Sequence, residues 1–204
     1  MMETMRNLTI AMTVLLLPLT AVAAPATALS TLKAKNGEVD RLLHNKVEKG
    51  SPEEAKQKAD IKAMAGGLLD YDELAKRSLA GHWDKLTTAQ RTEFVATFRE
   101  LIERNYVKQL RSNLDYQVQY KNEQNDGDDT TVTTIVKVKS AGKNTDAEIV
   151  YKMHKVGPEW RVWDVITDEV PLTRNYKTQF NKIITEQSYD ALIKKMKTKL
   201  QEQP

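Results

Sequence analysis

The spacing of apolar residues changes period twice along this chain, and this change restricts the fold more than any other feature. Between residues 116 and 166, apolar and polar side chains alternate in four successive runs, as in strands with one buried face. The first three runs carry Tyr116, Val118 and Tyr120; then Val132, Thr134, Val136 and Val138; then Ile149, Tyr151 and Met153. Short polar connections with glycine separate the runs, which predicts an antiparallel meander.

Helical periodicity flanks these runs on both sides. An early helix is predicted to carry Val39, Leu42, Leu43 and Val47, and later helices are predicted to start after Ser51, Asp70, Thr87, Pro171 and Ser188. We therefore predict one α+β domain: a four-stranded, mainly antiparallel sheet covered by several helices on one face.

The N-terminal segment has the pattern of a secretory signal peptide. Arg6 precedes an apolar run that is too short to span a bilayer, and a small-x-small cleavage pattern ends at Ala23. We predict a signal peptide over residues 1–23 and a single domain over residues 24–204, with an uncleaved membrane anchor as the alternative. Because no cysteine follows the apolar run, lipid modification at that point is not possible.

The composition excludes several classes of protein. Charged residues make up 29% of the chain, which argues against an integral membrane protein. The net charge of +3 is spread among acidic residues, so no nucleic-acid-binding surface is indicated. The absence of cysteine removes disulfides, thiolate zinc sites and cysteine nucleophiles.

Candidate catalytic and metal-binding residues all have simpler interpretations. Ser140 and Lys143 have the Ser-x-x-Lys spacing of some acyl-transfer enzymes but fall in a predicted hairpin. His44, His82 and His154 lie in three different predicted elements, without metal-ligand spacing. We therefore predict neither a metal nor a cofactor.

Two acidic clusters could be mistaken for functional sites. Asp126, Asp128 and Asp129 could attract calcium, but their spacing is not that of an EF-hand, and a solvated hairpin tip is the simpler interpretation. Asp70 and its acidic neighbours could resemble an acid/base pair. Their position at a predicted helix start explains them, because negative charge there interacts favourably with the helix dipole.

Two longer motifs point to a family. LAGHWDKLTTAQRTEFVATFRELIERNYVKQL, residues 79–110, contains Gly81, Trp83, Thr87, Gln90, Arg91, Phe94 and Phe98. WRVWDVITDEVPLTRNYKTQFNKII, residues 160–184, contains Trp163, Asp164, Val165, Asn175, Tyr176, Lys177, Gln179 and Phe180. With these motifs the chain resembles the MlaC or toluene-tolerance family of periplasmic phospholipid-binding proteins. Lys177 departs from the family pattern, where arginine is usual.

The resemblance implies a function and a set of partners. Members of this family are non-enzymatic periplasmic carriers that shuttle phospholipid between the outer membrane and an inner-membrane ABC transporter, maintaining outer-membrane lipid asymmetry. The implied partners are phospholipid, the MCE-domain protein of that transporter and an outer-membrane lipoprotein complex, with the carrier itself a monomer. An apolar pocket between sheet and helices is implied as the binding site. Its expected lining is Phe94, Phe98, Leu101, Tyr106, Val132, Val136, Val138, Ile149, Tyr151, Met153, Val162, Tyr176, Phe180 and Ile183.

Two other classes of function are compatible with the sequence. One is an enzyme, or a protein that binds a small apolar ligand such as a hopanoid or solvent, on a similar scaffold; Asp164 or His154 would then be the nearest reactive residue. The other is an interaction protein with a filled core. For Asp164 we favour a structural ion pair or cap over a ligand role, because an unpaired carboxylate on an apolar strand is costly.

The C-terminal segment combines an apolar face with a row of lysines. Leu192, Ile193, Met196 and Leu200 are expected to dock a last helix on the body, while Lys194, Lys195, Lys197 and Lys199 form a basic row. The row is either a solvated face or a weak, salt-sensitive contact with anionic lipid or an acidic partner.

Overall fold

The structure is a computed structural model that describes residues 26–112, 116–140 and 143–202. The predicted signal peptide lies outside these residues. The helices are α1 (Ala28–His44), α2 (Pro52–Leu68), α3 (Tyr71–Leu79), a 3-10 helix (Ala80–Lys85), α4 (Thr88–Ser112), α5 (Leu172–Glu186) and α6 (Tyr189–Glu202). The strands are β1 (Tyr116–Asp126), β2 (Asp129–Ser140), β3 (Lys143–Val156), β4 (Glu159–Thr167) and β5 (Val170–Pro171). The predicted α+β fold is confirmed, with a two-residue fifth strand added.

The predicted helix starts are confirmed by their caps. Ser51 Oγ accepts a hydrogen bond from the Glu54 backbone N–H at 3.1 Å, and Ser188 Oγ accepts one from the Ala191 backbone N–H at 3.0 Å. Thr87 and Gln90 bond reciprocally, since each side chain accepts from the other's backbone N–H. These bonds satisfy first-turn N–H groups that have no partner within the helix.

The strands follow one another in the order β1-β2-β3-β4-β5, each antiparallel to the next. A tight turn at Gly127, with φ of 61°, joins β1 to β2 and confirms the predicted hairpin tip. The pairing of β3 with β4 contains a bulge, because Lys152 pairs with Asp164 while Met153 pairs with Val162. Trp163 is the extra residue, so side chains on its two sides do not follow a simple alternation.

Helix α1 covers one face of the sheet, and α3 begins at the edge of β4. Ala28 and Leu32 of α1 pack with Val132, Met153 and Val162 on one face. On the other face, His154 Nε2 lies 2.8 Å from the carboxylate of Asp70, which caps α3. The sequence pattern does not predict the contact between His154 and Asp70, because it depends on where the chain between α2 and α3 passes the edge of β4. At that edge the Asp70 backbone N–H donates a hydrogen bond to the Val162 carbonyl at 2.8 Å.

A second core lies among the helices alone. The rings of Phe94, Phe98 and Phe180 contact one another, with centroids 5.4 to 5.5 Å apart. The buried residues of α6 that join them are Leu192, Ile193 and Met196, as the sequence predicted. Within the described ranges, no helix has the length and apolar character to cross a membrane.

Candidate functional site

A cavity of about 720 Å³ lies between α1, the C-terminal part of α4 and one face of β1, β2 and β3. This volume is within the usual range of ligand pockets, about 300–1,000 Å³. The lining residues are Lys33, Asn36, Gly37, Val39, Asp40, Tyr106, Gln109, Tyr116, Gln117, Val118, Gln119, Tyr120, Val136, Ile149 and Tyr151. The lining therefore combines an apolar and aromatic sheet face with polar residues from α1.

Local periodicity explains how these residues meet. Lys33, Gly37 and Asp40 recur at helical spacing, so they share the face of α1 that lies over the sheet. Tyr116 and Tyr120 share one face of β1, because alternate strand residues point to the same side. Gly37 leaves room in this arrangement: a Cβ added there would meet no atom within 4 Å.

Four tyrosines share the cavity. Burial raises the pKa of Tyr106 to about 12, and burial likewise raises the pKa of Tyr116 to about 12. Burial also raises the pKa values of Tyr120 and Tyr151. The four phenols are close enough to affect one another electrostatically, and all are neutral hydroxyls at physiological pH.

Polar groups of α1 contact these phenols. Asn36 Nδ2 donates a hydrogen bond to the Tyr120 hydroxyl at 2.9 Å, and the Lys33 ammonium lies 5.1 Å from the centroid of the Tyr120 ring. Burial and the nearby Asp40 carboxylate both raise the pKa of Tyr116. This rim carries charge of both signs, whereas the strand residues Val118, Val136 and Ile149 supply the apolar lining.

Four of the residues predicted for a pocket lie around this cavity: Tyr106, Val136, Ile149 and Tyr151. The side chain of Val138 lies outside the described residues. Val132, Met153 and Val162 lie in the buried cluster between the sheet and α1. Phe94, Phe98, Leu101, Tyr176, Phe180 and Ile183 lie in the core among the helices. A direct role of these last nine residues in ligand binding stays a prediction.

The sequence alone does not indicate that α1 contributes to the cavity. Lys33, Asn36, Gly37 and Asp40 carry no motif that distinguishes them from an ordinary solvated helix face. The alternation of Tyr116, Val118 and Tyr120 predicts a strand with these three side chains on one face. Deciding that α1 lies over this part of the sheet requires the tertiary structure.

The residues considered for chemistry lie elsewhere. His154 is bonded to Asp70 on the far face of the sheet, and His82 Nε2 lies 2.9 Å from Asn181 Oδ1. His44 Nδ1 contacts the Asp40 carbonyl at 2.9 Å within its own helix. In the described part of the chain, no three His, Cys, Asp or Glu side chains are grouped as metal ligands. The side chains of Ser140 and Lys143 lie outside the described residues.

Asp164 has the structural role that the sequence favoured. Its carboxylate accepts hydrogen bonds from the backbone N–H of Thr173 at 3.0 Å and from the Thr173 hydroxyl at 2.7 Å. Because Thr173 lies in the first turn of α5, Asp164 caps this helix from a neighbouring strand. The predicted cap is confirmed.

Comparison with known proteins agrees with this arrangement. The sequence model of the MlaC protein family matches residues 34–198. A curated relative, the intermembrane phospholipid transport system binding protein MlaC of Haemophilus influenzae, is 30% identical over 134 residues, which cover 63% of this chain and 63% of that protein. The chain thus spans less than two thirds of the relative's length in this alignment.

A solved structure shows the same fold. The phospholipid-binding protein of Ralstonia solanacearum, solved in complex with a phospholipid, matches with a TM-score of 0.68 and 21% sequence identity. The match covers 85% of this chain and 96% of that one.

Proposed function

Because this chain belongs to the MlaC family, we propose that it binds phospholipid in the cavity between α1, α4 and the sheet. The observation that carries the proposal is the cavity of about 720 Å³ and its lining of aromatic and aliphatic strand residues. The relative from Haemophilus influenzae is named as a phospholipid transport system binding protein, and the Ralstonia solanacearum protein was solved with a phospholipid.

Acyl-chain burial supplies the binding energy. Each buried methylene contributes about 0.8 kcal/mol, so a chain of about fifteen carbons contributes on the order of 10 kcal/mol before ordering costs. The strand residues Val118, Val136 and Ile149 offer the apolar surface for this burial. The head group stays at the rim near Lys33 and Asp40, since moving its charges into the apolar interior is costly.

In the cell, the protein acts as a periplasmic carrier between the outer membrane and an inner-membrane MCE-type ABC transporter. The apolar N-terminal segment and its cleavage pattern at Ala23 support export. N-terminal sequencing of the protein from a periplasmic extract should find a start near Ala24. A membrane-bound protein that retains Met1 or Met5 would contradict this location.

The carrier needs no covalent step, and the location of the reactive residues supports this interpretation. Asp164 and His154, the residues nearest to an enzymatic alternative, do not line the cavity. Both hold helices to the sheet, Asp164 through Thr173 and His154 through Asp70.

A blocking substitution tests the proposed site. In Gly37→Trp, the indole is expected to fill the cavity, because Gly37 lines it and a Cβ there meets no neighbour within 4 Å. Gly67→Trp is the matched control: Gly67 is an exposed helical glycine with equally open surroundings, but it does not line the cavity.

The measurement is phospholipid in an organic extract of the purified protein, by mass spectrometry, together with uptake of labelled phospholipid from vesicles. The parent and Gly67→Trp should carry about one phospholipid per protein, and Gly37→Trp should carry much less. If the parent neither contains phospholipid nor takes it up, the carrier function is wrong. Equal uptake by parent and Gly37→Trp would place the site elsewhere.

A further inference from the structure

Two side chains of α1 place opposite charges at the rim of the cavity. The first is Lys33, whose ammonium lies over the Tyr120 ring, 5.1 Å from its centroid. In the described part of the chain, Lys33 makes no ion pair, whereas its neighbour Lys35 pairs with Glu38 at 3.3 Å. The rim therefore has a positive charge that is held in place by an aromatic ring and is available to a ligand.

Asp40 supplies the negative charge. Its carboxylate lines the same cavity, and 51% of the side chain is exposed to solvent. Within the described ranges it contacts one basic side chain, that of His44, whose Nδ1 lies 3.4 Å from Asp40 Oδ1 and which is charged only when it is protonated. No lysine or arginine of these ranges pairs with Asp40. Its charge is available to a ligand as well.

The helix holds the two charges on one stripe, with a gap between them. Lys33, Gly37 and Asp40 are spaced by four and three residues, which puts them on the same face of α1. Seven residues correspond to about 10 Å along the helix axis. Gly37 has no side chain, and a Cβ there would meet no atom within 4 Å. A small polar group can therefore lie along α1 between Lys33 and Asp40.

The charge balance of this rim distinguishes phospholipid head groups. Among the described residues that line the cavity, Lys33 and Asp40 are the only charged ones, so the lining has one charge of each sign. Lys33 attracts the phosphate of any phospholipid, but Asp40 attracts only a head group that also carries a cation. A phosphoglycerol head group offers Asp40 neutral hydroxyls alone, and its net negative charge is repelled by this carboxylate.

We infer that Lys33 and Asp40 together select zwitterionic phospholipids, with the head-group phosphate at Lys33 and the ammonium at Asp40. This inference rests on the proposed function and adds a ligand class to it. Hydrogen bonds between ionised groups are about twice as strong as neutral ones. A phosphoethanolamine group, in which two carbons join the phosphate to the ammonium, suits the gap at Gly37 with one such bond at each end.

Competition between two head groups in the same vesicle tests this selectivity. Purified protein, stripped of lipid, is incubated with vesicles that contain equal amounts of phosphatidylethanolamine and phosphatidylglycerol with identical chains. The bound lipids are then counted by native mass spectrometry. Because both lipids come from one vesicle, the charge of the vesicle favours neither. The parent is expected to prefer phosphatidylethanolamine by about threefold, the size of one half-exposed ion pair.

Substitutions at the two charges should have different effects. Asp40→Asn should bring the ratio of the two lipids close to one, and Asp40→Lys should reverse it. Lys33→Gln should reduce the uptake of both lipids alike, because both have a phosphate. Glu38→Gln and Lys35→Gln are the matched controls, since they remove the same charges from α1 at positions that do not line the cavity. Both controls should keep the parental ratio and uptake.

Thermal unfolding of each variant confirms that it is folded before lipid is counted. Equal binding of the two lipids by the parent, or an undiminished preference in Asp40→Asn, would overturn the inference and leave the carrier function intact. If Glu38→Gln lost the preference as fully as Asp40→Asn, the overall charge of α1 would set the ratio, and the inference would again be wrong. A parent that took up neither lipid would overturn the proposed function as well.

Discussion

The carboxylate of Asp164 on β4 and Thr173 on α5 share two hydrogen bonds, of 3.0 Å to the backbone N–H and 2.7 Å to the hydroxyl. Asp164 is only 2% exposed, and it also accepts from the backbone N–H of Val165 at 2.9 Å. Pro171, at the N-cap position of α5, provides no side-chain cap of its own. A single buried carboxylate therefore joins the sheet to the helix that packs Phe180 into the core.

Removing this carboxylate should destabilise the protein. We expect Asp164→Ala to lower the free energy of unfolding by about 2–4 kcal/mol. The substitution removes a helix cap, and it also leaves the buried N–H and O–H groups of Thr173 without partners. Urea denaturation followed by circular dichroism measures this. Asp190→Ala, at an exposed carboxylate in the first turn of α6, is the control and should change stability by less than about 1 kcal/mol. Similar losses in the two variants would contradict a special role for Asp164.

Ala80 has a backbone conformation that favours glycine. Its φ is 46° and its ψ is −124°, directly after the end of α3. Such conformations cost a residue with a Cβ on the order of 1–3 kcal/mol. We therefore expect Ala80→Gly to raise the unfolding free energy by about 1 kcal/mol or more, despite the greater freedom of glycine in the unfolded chain. Ala96→Gly, at an exposed position within α4, should lower it by about 1 kcal/mol. A loss of stability in both would show that Ala80 is not strained.

Gly66 and Gly67, adjacent in α2, should respond in opposite ways to alanine. A Cβ on Gly67 meets nothing within 4 Å, so Gly67→Ala should stabilise the helix by about 0.5–1 kcal/mol. A Cβ on Gly66 would lie 2.6 Å from Arg99 Nη2 and 3.2 Å from Glu103 Oε1. Arg99 would have to move away from Glu103, which is 3% exposed and accepts from Arg99 Nε at 2.7 Å.

Weakening the ion pair of half-exposed Arg99 with buried Glu103 should cancel the gain in helix propensity, so that Gly66→Ala is at best neutral. Chemical denaturation of the two variants side by side measures the difference. If Gly66→Ala gains as much stability as Gly67→Ala, then Arg99 moves without cost and the close approach is unimportant.

The basic row on α6 should affect delivery of lipid and not its binding. Lys195 and Lys199 are exposed and lie on one side of α6, whereas Lys197 is paired with Glu93 at 2.5 Å. Each lysine near an anionic membrane contributes up to about 1 kcal/mol at low salt. The double variant Lys195→Glu, Lys199→Glu should slow lipid transfer to anionic vesicles at low salt, with unchanged lipid content and thermal stability. If the parent and the double variant transfer lipid at equal rates across a salt titration, the basic row makes no contact with the membrane and is only a solvated helix face.

Much of the fold follows from short-range patterns in the chain. The caps at Ser51, Thr87 and Ser188 were predictable because each side chain bonds to a backbone N–H within three residues. The strands were predictable because alternation of apolar and polar residues reflects one buried face. Family membership followed from the motifs around Trp83 and Tyr176, and the match over residues 34–198 confirms it.

The cavity depended on contacts between segments distant in the chain. Nothing in the local sequence around Lys33 and Gly37 shows that α1 lies over Tyr120, because that approach depends on the packing of Leu32 against Met153 and Val162. Equally, Phe94 and Phe180 are aromatic, as Tyr151 is, yet they lie in a core among helices. Hydrophobicity drives all these side chains out of water without direction. Only the arrangement of helices around the sheet decides which of them fill a core and which line a cavity.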